Sequence, residues 1–452
     1  MSGFPANREE LARDVVQMAM EAGASAAEAI VRQGSEFSAA VRLGSIEKLL
    51  QANPRKLGVR LFCDSRSAIA ATSDFSPDTL RGMVEDAVAM ARAASPDAAA
   101  GLPGAEVYSA PATCPELCFP AAQQLEAGAK IDLARRAEEA ALGHDPRINN
   151  SEGAGFADTL VTIAYANSLG AGGSYSKTTA ELYASPLAEL DGGKQRDHWL
   201  STGLDLARLE SPEAIGARAA TRVLRRLGAR KASTGEVPVV FDPLAAARVL
   251  SHLAEAASGT ALLRKASFLL DKLGTRIAPP GVHIVDDALL PNGLGSRPFD
   301  SEGVPSGATR IVDDGILVGY LLDSYSARKL GMRSTASSTR EPSGAARVGP
   351  SNFFLAPGSL SPEAIIGSVQ RGLYVTELIG FGVNIVSGNF SQGAAGLWIE
   401  NGELAYAVEE ITVAGNLTEM LLGIEAIGND PVAVSETFAP TVKIGKMVVS
   451  GN

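Results

Sequence analysis

The chain has 452 residues, of which 46% are hydrophobic and 20% charged, and its formal net charge is −11. This length favours two domains with sizeable cores. The acidic balance argues against direct binding to nucleic acid, because counterion release needs clustered Lys and Arg. Three cysteines are too few for a secreted disulfide scaffold.

No apolar run approaches the roughly 18 residues that span a bilayer. The first residues, Met1 to Glu10, lack the basic and apolar parts of a secretory signal. We therefore expect a soluble, cytoplasmic protein with no membrane contact.

The first half alternates between helical and strand-like patterns. Residues 8–22 have apolar positions at helical spacing, and residues 27–71 form short alternating runs that predict antiparallel strands. Ser76-Pro77 predicts the start of a helix to residue 94, and residues 94–120 predict a surface connection. A helix over 132–142, a hairpin within 149–200 and a helix over 211–228 follow. The polar segment 229–235 then predicts a domain boundary.

The second half predicts a strand over 237–241, a helix over 243–258 and two hairpins. Asp314-Gly315 and Asn401-Gly402 both suit type I′ turns, whose central residues have positive φ. Ser361-Pro362 predicts a further helix that ends at Gly372. The expected class is α+β with mixed or antiparallel sheets. It has an N-terminal domain over 1–232 and a β-rich C-terminal domain with glycine-rich turns over 233–452.

Metal ligands are sparse in this sequence. The four histidines are far apart, and none forms a His-x-x-x-His pair. The best local candidate is His252 with Glu255, three residues apart on a predicted helix. A polar pair on the helix surface is the more economical interpretation, because zinc normally needs three protein ligands. We expect no metal site, no catalytic residue and no cofactor in this chain.

A serine hydrolase is one alternative interpretation. Ser326 and Lys329 match Ser-x-x-Lys, Ser387-Gly388-Asn389 matches Ser-x-Asn, and residues 443–445 loosely match Lys-Thr-Gly. Such a lysine would take the serine's proton one helical turn away. Each triplet is short and common in a long chain, so the match is weak evidence.

The segment Gly380 to Gly396 is rich in glycine, with aromatic and amide residues between. Glycine allows close approach of backbone to backbone or to a ligand. Structural turns and a binding site are both open interpretations at this point.

This segment and its surroundings resemble a known family. Gly388-Asn389-Phe390-Ser391-Gln392-Gly393-Ala394-Ala395-Gly396, followed by residues 399–403 and 411–417, is similar to the C-terminal signature of the TldD/TldE peptidases. Residues 299–303, 314–317 and 324–331 resemble the TldE/PmbA branch. The resemblance covers residues 236–430 and extends more loosely over the first half.

The resemblance implies a two-subunit system in which a TldD-like partner carries a His-Glu-x-x-x-His zinc motif. Here the comparable helix has His252, but Leu253 replaces the glutamate and Ala257 the second histidine. The resemblance therefore implies an accessory subunit that encloses an unfolded or extended peptide, with zinc on the partner. Homodimers of the chain by itself are a further expectation.

Eight residues are the expected peptide-binding or interface residues: Ser387, Gly388, Asn389, Phe390, Ser391, Gln392, Gly393 and Asn416. The second alternative is a binding or regulatory protein without a peptidase role, as the gyrase-modulator name of the family suggests. Given the net charge, any effect on gyrase would be indirect.

Overall fold

The computed structural model describes residues 7–108 and 113–451. Residues 1–6 of the segment considered for a signal, and 109–112 of the predicted connection, lie outside the described residues. Among the described helices, none is both long and apolar enough to cross a membrane.

An antiparallel eight-stranded sheet dominates the first half. Its strand order is β4-β3-β1-β5-β6-β7, with β2 on β1 and β8 on β6. The strands are β1 (Ala26–Arg42), β2 (Ser45–Ala52), β3 (Arg55–Cys63), β4 (Arg66–Thr72), β5 (Ile148–Asn167), β6 (Gly172–Leu190), β7 (Gly193–Arg196) and β8 (Trp199–Gly203).

Helices cover one face of this sheet. They are α1 (Arg8–Glu21), α2 (Pro77–Ala93), α3 (Ala127–Leu142) and α4 (Pro212–Leu224). Ala27, Ala29 and Val31 of β1 point into the core under α1 and α2. Because side chains alternate along a strand, Glu28, Ile30 and Arg32 point away from these helices, toward the second half of the chain.

The second half contains two larger sheets and several short helices. The first elements are β9 (Gly235–Phe241), α5 (Pro243–Ala256), α6 (Gly259–Leu263), β10 (Ile284–Asp287), β11 (Ala308–Asp313), β12 (Ile316–Leu317), α7 (Ser324–Leu330), β13 (Ser338–Thr339), β14 (Arg347–Val348) and β15 (Phe353–Leu355). They are followed by α8 (Pro362–Gly367), β16 (Arg371–Ile379), β17 (Val383–Asn384), β18 (Asn389–Glu400), β19 (Glu403–Asn416), α9 (Leu417–Leu422), β20 (Ile424–Ile427), β21 (Thr437–Phe438) and β22 (Val442–Ser450).

The sheets of the second half are mixed. Strand β16 pairs with both β9 and β18, which closes the path β16-β9-β22-β19-β18 into a ring, and β17 lies at the end of the path. The pairs β9–β16 and β15–β21 are parallel. The predicted α+β class is confirmed, whereas the domain boundary between residues 232 and 233 stays a prediction.

The predicted end of one helix is wrong. Helix α8 ends at Gly367, and β16 already begins at Arg371, before the predicted end at Gly372. Residues 372–376 are buried between β9 and β18. They form a strand because pairing with these neighbours outweighs their local helix propensity. Both type I′ positions have the expected backbone, with positive φ at Asp314, Gly315, Asn401 and Gly402.

Candidate functional site

The glycine-rich segment forms an exposed loop that joins β16 to β18. Residues 380–388 leave the end of β16, pass through the short strand β17 and turn at Gly388, whose φ is +79°. A Cβ at Gly382 would lie 1.7 Å from the carbonyl oxygen of Ser391. Glycine is therefore required there by the close approach of the two backbones.

Four of the predicted residues meet at one corner of this loop. The Asn416 side-chain Nδ2 donates to the Ser387 carbonyl at 2.9 Å, and its Oδ1 accepts from the Thr418 N–H at 3.0 Å, capping α9. Asn389 lies opposite Asn416 where β18 meets β19, and the Leu417 N–H donates to the Gly388 carbonyl at 2.7 Å. The corner is a hydrogen-bonded anchor for the loop.

The other four predicted residues follow the alternation of β18. Phe390 is 1% exposed and packs in the same core cluster as Leu417 and Met420, so its ring does not face solvent. Ser391 is exposed, and Gly393 is half-buried. Gln392 is buried and donates to the Gly380 carbonyl at 3.0 Å. Whether any of these residues binds peptide stays a prediction.

Apolar as well as polar residues of this loop face solvent. Phe381 is 97% exposed, and Ile379 and Val386 are both about half exposed. Two hydrogen bonds anchor the loop to the rest of the domain. Arg248 of α5 donates to the Gly380 carbonyl at 2.7 Å, and the Phe268 N–H donates to the Ile385 carbonyl at 2.7 Å. An exposed aromatic ring on an anchored loop is a candidate contact for a ligand chain.

His252 lies one helical turn beyond Arg248 on α5. Its Nε2 is buried and has no hydrogen-bond partner among the described residues. Burial, reinforced by the charge of Arg248, lowers the pKa of His252, so the ring is neutral at pH 7. Within residues 7–108 and 113–451, no group of three or more His, Cys, Asp or Glu side chains is arranged to hold a metal ion.

The geometry is unfavourable for the serine-hydrolase alternative. Ser326 is 1% exposed, and its hydroxyl donates to the Asp323 carboxylate as part of a capping box at the start of α7. Lys329 pairs with Asp97 at 2.8 Å, and this hydrogen bond raises the pKa of Lys329. A general base needs a lowered pKa, so this lysine is poorly placed to activate Ser326.

A buried ionic cluster was missed by the sequence reasoning. Arg60 donates to Glu28 at 2.7 Å and to Glu302 at 3.0 Å, and Arg340 lies 3.1 Å from the same Glu28 oxygen. Tyr165 also donates to Glu28, at 2.9 Å. Burial opposes ionisation of Glu28, but Arg60 and Arg340 outweigh it, and its pKa lies below the usual value. The sequence did offer a signal for this cluster: Glu28 and Arg60 are charged residues within strands that are otherwise largely apolar.

Sequence models of three domains of one family match this chain. Domain 1 of the PmbA/TldA metallopeptidases matches residues 27–91, their central domain matches residues 121–227, and their C-terminal domain matches residues 234–451. Together these matches include most of the chain.

Curated proteins and solved structures give similar results. The chain is 38% identical to the metalloprotease PmbA of Escherichia coli O157:H7, over 94% of this chain and 92% of the relative. It is also 38% identical to a PmbA homologue of Haemophilus influenzae, over 99% and 97%. A crystal structure of a candidate modulator of DNA gyrase from Bacteroides thetaiotaomicron superposes with a TM-score of 0.91 at 29% identity, over 99% of this chain and 100% of that one. TldE from Thermococcus kodakarensis superposes at 0.87 with 24% identity, over 98% and 100%, which supports the fold alone.

Proposed function

This chain belongs to the PmbA/TldA metallopeptidase family, as the resemblance predicted, and on that premise we propose that it is an accessory subunit for peptide cleavage. In this proposal it pairs with a TldD-like chain and holds an unfolded or extended peptide. The zinc site of the partner then cleaves that peptide.

The observation that carries the proposal is the shortage of metal-binding side chains around His252. His252 is followed by Leu253, and Ala257 stands where a second histidine would be needed. A hydrolytic zinc ion requires three protein ligands and an open position for water. The described residues bring no second or third ligand to His252, and this supports placing the metal chemistry on another chain.

The exposed loop supports the peptide-holding part of the proposal. Strand β17 lies at the end of its sheet and pairs with β18 alone, so its other edge has no strand partner in the described part of the chain. Peptides bind such edges in extended form through main-chain hydrogen bonds, which read little side-chain sequence. Phe381, two residues before β17, would add an aromatic contact.

The first experiment compares the chain by itself with a mixture of the chain and its TldD-like partner. We expect chelator-sensitive cleavage of an unfolded peptide only in the mixture, and zinc only in the partner. Efficient chelator-sensitive cleavage by the purified single chain, together with tightly bound stoichiometric metal, would contradict the proposal.

A surface variant tests the loop. Phe381→Ala should leave folding unchanged, because the ring is 97% exposed. It should weaken peptide binding by about tenfold, as expected for loss of an aromatic anchor. Leu273→Ala, at another exposed apolar position, is the matched control and should have no effect. Equal peptide affinity in both variants would exclude the loop from the binding site.

A regulatory role without proteolysis is the second candidate. The description of the Bacteroides structure as a candidate modulator of DNA gyrase favours it. Affinity purification of the tagged chain separates the two proposals: recovery of a TldD-like chain supports the peptidase role, and recovery of peptides without such a chain supports the regulatory one.

A further inference from the structure

A cavity of about 130 Å³ lies where the first sheet meets the second half of the chain. One side is formed by residues of β1, β5 and β6, and the other by residues 297–301 and 338–342. We call it the junction cavity. It is separate from the exposed loop at residues 379–391, which contributes no lining residue. Its size is close to the roughly 150 Å³ of a cavity that can hold a benzene ring.

Aromatic rings form one wall of the junction cavity. The Phe299 ring lies 5.4 Å from Tyr175 in an edge-on arrangement and 6.1 Å from Tyr165, measured between ring centroids. Ile163 also lines the cavity. This wall favours an apolar group, preferably a planar or branched one.

The polar part of the lining carries an excess of positive charge. Arg32, Arg297 and Arg340 line the cavity, and Asp300 is the carboxylate among its lining residues. The Asp300 oxygens already accept three backbone N–H groups, from Glu302, Val304 and Ser338. Arg32 lies nearer to solvent and pairs with the exposed Glu341. Arg297 and Arg340 are therefore the cations with unused donors.

Several of those donors are buried without a hydrogen-bond acceptor in the described part of the chain. They are Nε of Arg297 and all three guanidinium nitrogens of Arg340, whose side chain is 0% exposed. Arg340 Nη2 forms an ion pair with a Glu28 oxygen at 3.1 Å, but the contact lacks the geometry of a hydrogen bond. Unmet buried donors are unfavourable, and guanidinium groups match the geometry of a carboxylate.

We propose that the junction cavity binds a carboxylate attached to an apolar group, such as the C-terminal residue of a peptide. The aromatic wall takes the apolar side chain, and Arg297 with Arg340 faces the carboxylate. The choice of a peptide C-terminus as the source rests on the proposed function. The recognition of the carboxylate does not.

Calorimetric titration of the full-length chain, without a partner, tests the inference. The ligands are N-acetylphenylalanine, its amide, and one peptide prepared as the free acid and as the C-terminal amide. We expect both acids to bind at least tenfold more tightly than their amides. A peptide acid that binds more tightly than N-acetylphenylalanine identifies the peptide C-terminus as the ligand. Equal binding of the two acids identifies a small carboxylic acid.

Variants locate the binding in the cavity. Arg297→Gln should reduce the preference for acid over amide, and Ile163→Phe, which fills the apolar part, should weaken both. Arg347→Gln, at an exposed arginine of β14, is the control and should bind like the wild type. Thermal melts confirm that each variant is folded. Equal affinities for acid and amide, no binding at millimolar concentration, or folded cavity variants that bind normally would each overturn the inference.

This test does not depend on proteolysis. If the mixed subunits fail to cleave peptides while the acid still binds, the proposed function fails and the cavity assignment stands. If the mixed subunits cleave peptides but acid and amide bind equally, the proposed function stands and the cavity assignment fails.

Discussion

Buried charged residues join the first sheet to the second half of the chain. Glu28 is 0% exposed and compensates both Arg60 and Arg340. Glu28→Gln leaves two buried guanidinium groups with one carboxylate, Glu302, so we expect a loss of about 3–5 kcal/mol in the free energy of unfolding. Denaturant titration measures that loss.

Arg340→Met should behave differently from Glu28→Gln. Its guanidinium nitrogens have no hydrogen-bond partner among the described residues, and Glu28 keeps Arg60 when Arg340 is removed. Replacing a buried ion by an apolar side chain of similar volume is often neutral or stabilising. We expect a change of less than about 1 kcal/mol in the free energy of unfolding. A loss as large as that of Glu28→Gln would contradict this account of the cluster.

Asp286 gives a prediction about pH. Burial raises the pKa of Asp286 to about 6, against about 4 in the unfolded chain. The folded state therefore holds this proton more tightly. The unfavourable contribution of Asp286 to stability grows as pH rises from about 4 to about 6, and reaches about 3 kcal/mol above that range.

Asp286→Asn removes this titration but keeps an oxygen to accept the Ser351 N–H, a bond of 2.7 Å. Between pH 4 and pH 7 its denaturant midpoint should fall less, or rise more, than that of the wild type. Asp14→Asn, on the exposed face of α1, provides the control and should follow the wild type. Parallel curves for Asp286→Asn and the wild type would show that Asp286 titrates normally.

At the scale of elements, the anchor at Asn416 joins a loop to a helix. Its Oδ1 caps α9, and its Nδ2 holds the Ser387 carbonyl. Asn416→Ala should cost about 1–2 kcal/mol, as for other lost caps. Asn416→Asp keeps the cap oxygen and loses the donor. In hydrogen exchange, we therefore expect Asn416→Asp to loosen residues 385–389 while α9 stays protected, and Asn416→Ala to loosen both. Equal protection of the loop in all three proteins would mean that the anchor is not needed.

Local patterns predicted most of the elements because their determinants lie close together in sequence. Asp314-Gly315 and Asn401-Gly402 specify their own turns, since few residues accept positive φ. The end of α8 was wrong because residues 372–376 are fixed by pairing with β9 and β18, which are distant in sequence. Strand pairing overrides local helix propensity in such cases.

The candidate site was predictable to a similar extent. The glycine-rich segment was identified because its composition is local, and its alternation also indicates that Phe390 and Gln392 share one buried face. The junction cavity and the ionic cluster were not predictable. Glu28 and Glu302 are 274 positions apart (302 − 28), and each is an ordinary charged residue until the fold brings both to Arg60.

At the scale of the whole molecule, charged and polar contacts tie the first sheet and its helices to the second half. Arg222 of α4 donates to Asp197 at 3.2 Å and to Asp242, the N-cap of α5, at 3.1 Å. Arg328 of α7 donates to the carbonyls of Ala99, Gly101 and Leu102. These hydrogen bonds depend on the relative position of the two halves of the chain. We therefore expect them to form and break together during folding and unfolding.

Cooperativity of unfolding follows from these contacts. We expect the wild type to unfold in one calorimetric transition, because opening the junction breaks buried ion pairs that cross it, such as Arg60–Glu302 and Arg222–Asp242. Arg222→Leu leaves Asp197 and Asp242 buried without their partner, a loss of about 3–5 kcal/mol. Since Asp242 also caps α5, the first helix of the second half, this variant should unfold in two transitions at lower temperature.

The matched control is Arg218→Leu, one turn earlier on α4. Arg218 and Arg222 both lie over the Trp199 ring, but Arg218 is half exposed and its ion pair, with Glu210, lies within the first half. Its loss should lower the transition temperature slightly and leave a single transition. Two transitions in the wild type, or the same single transition in both variants, would mean that buried charge at the junction does not couple the two halves.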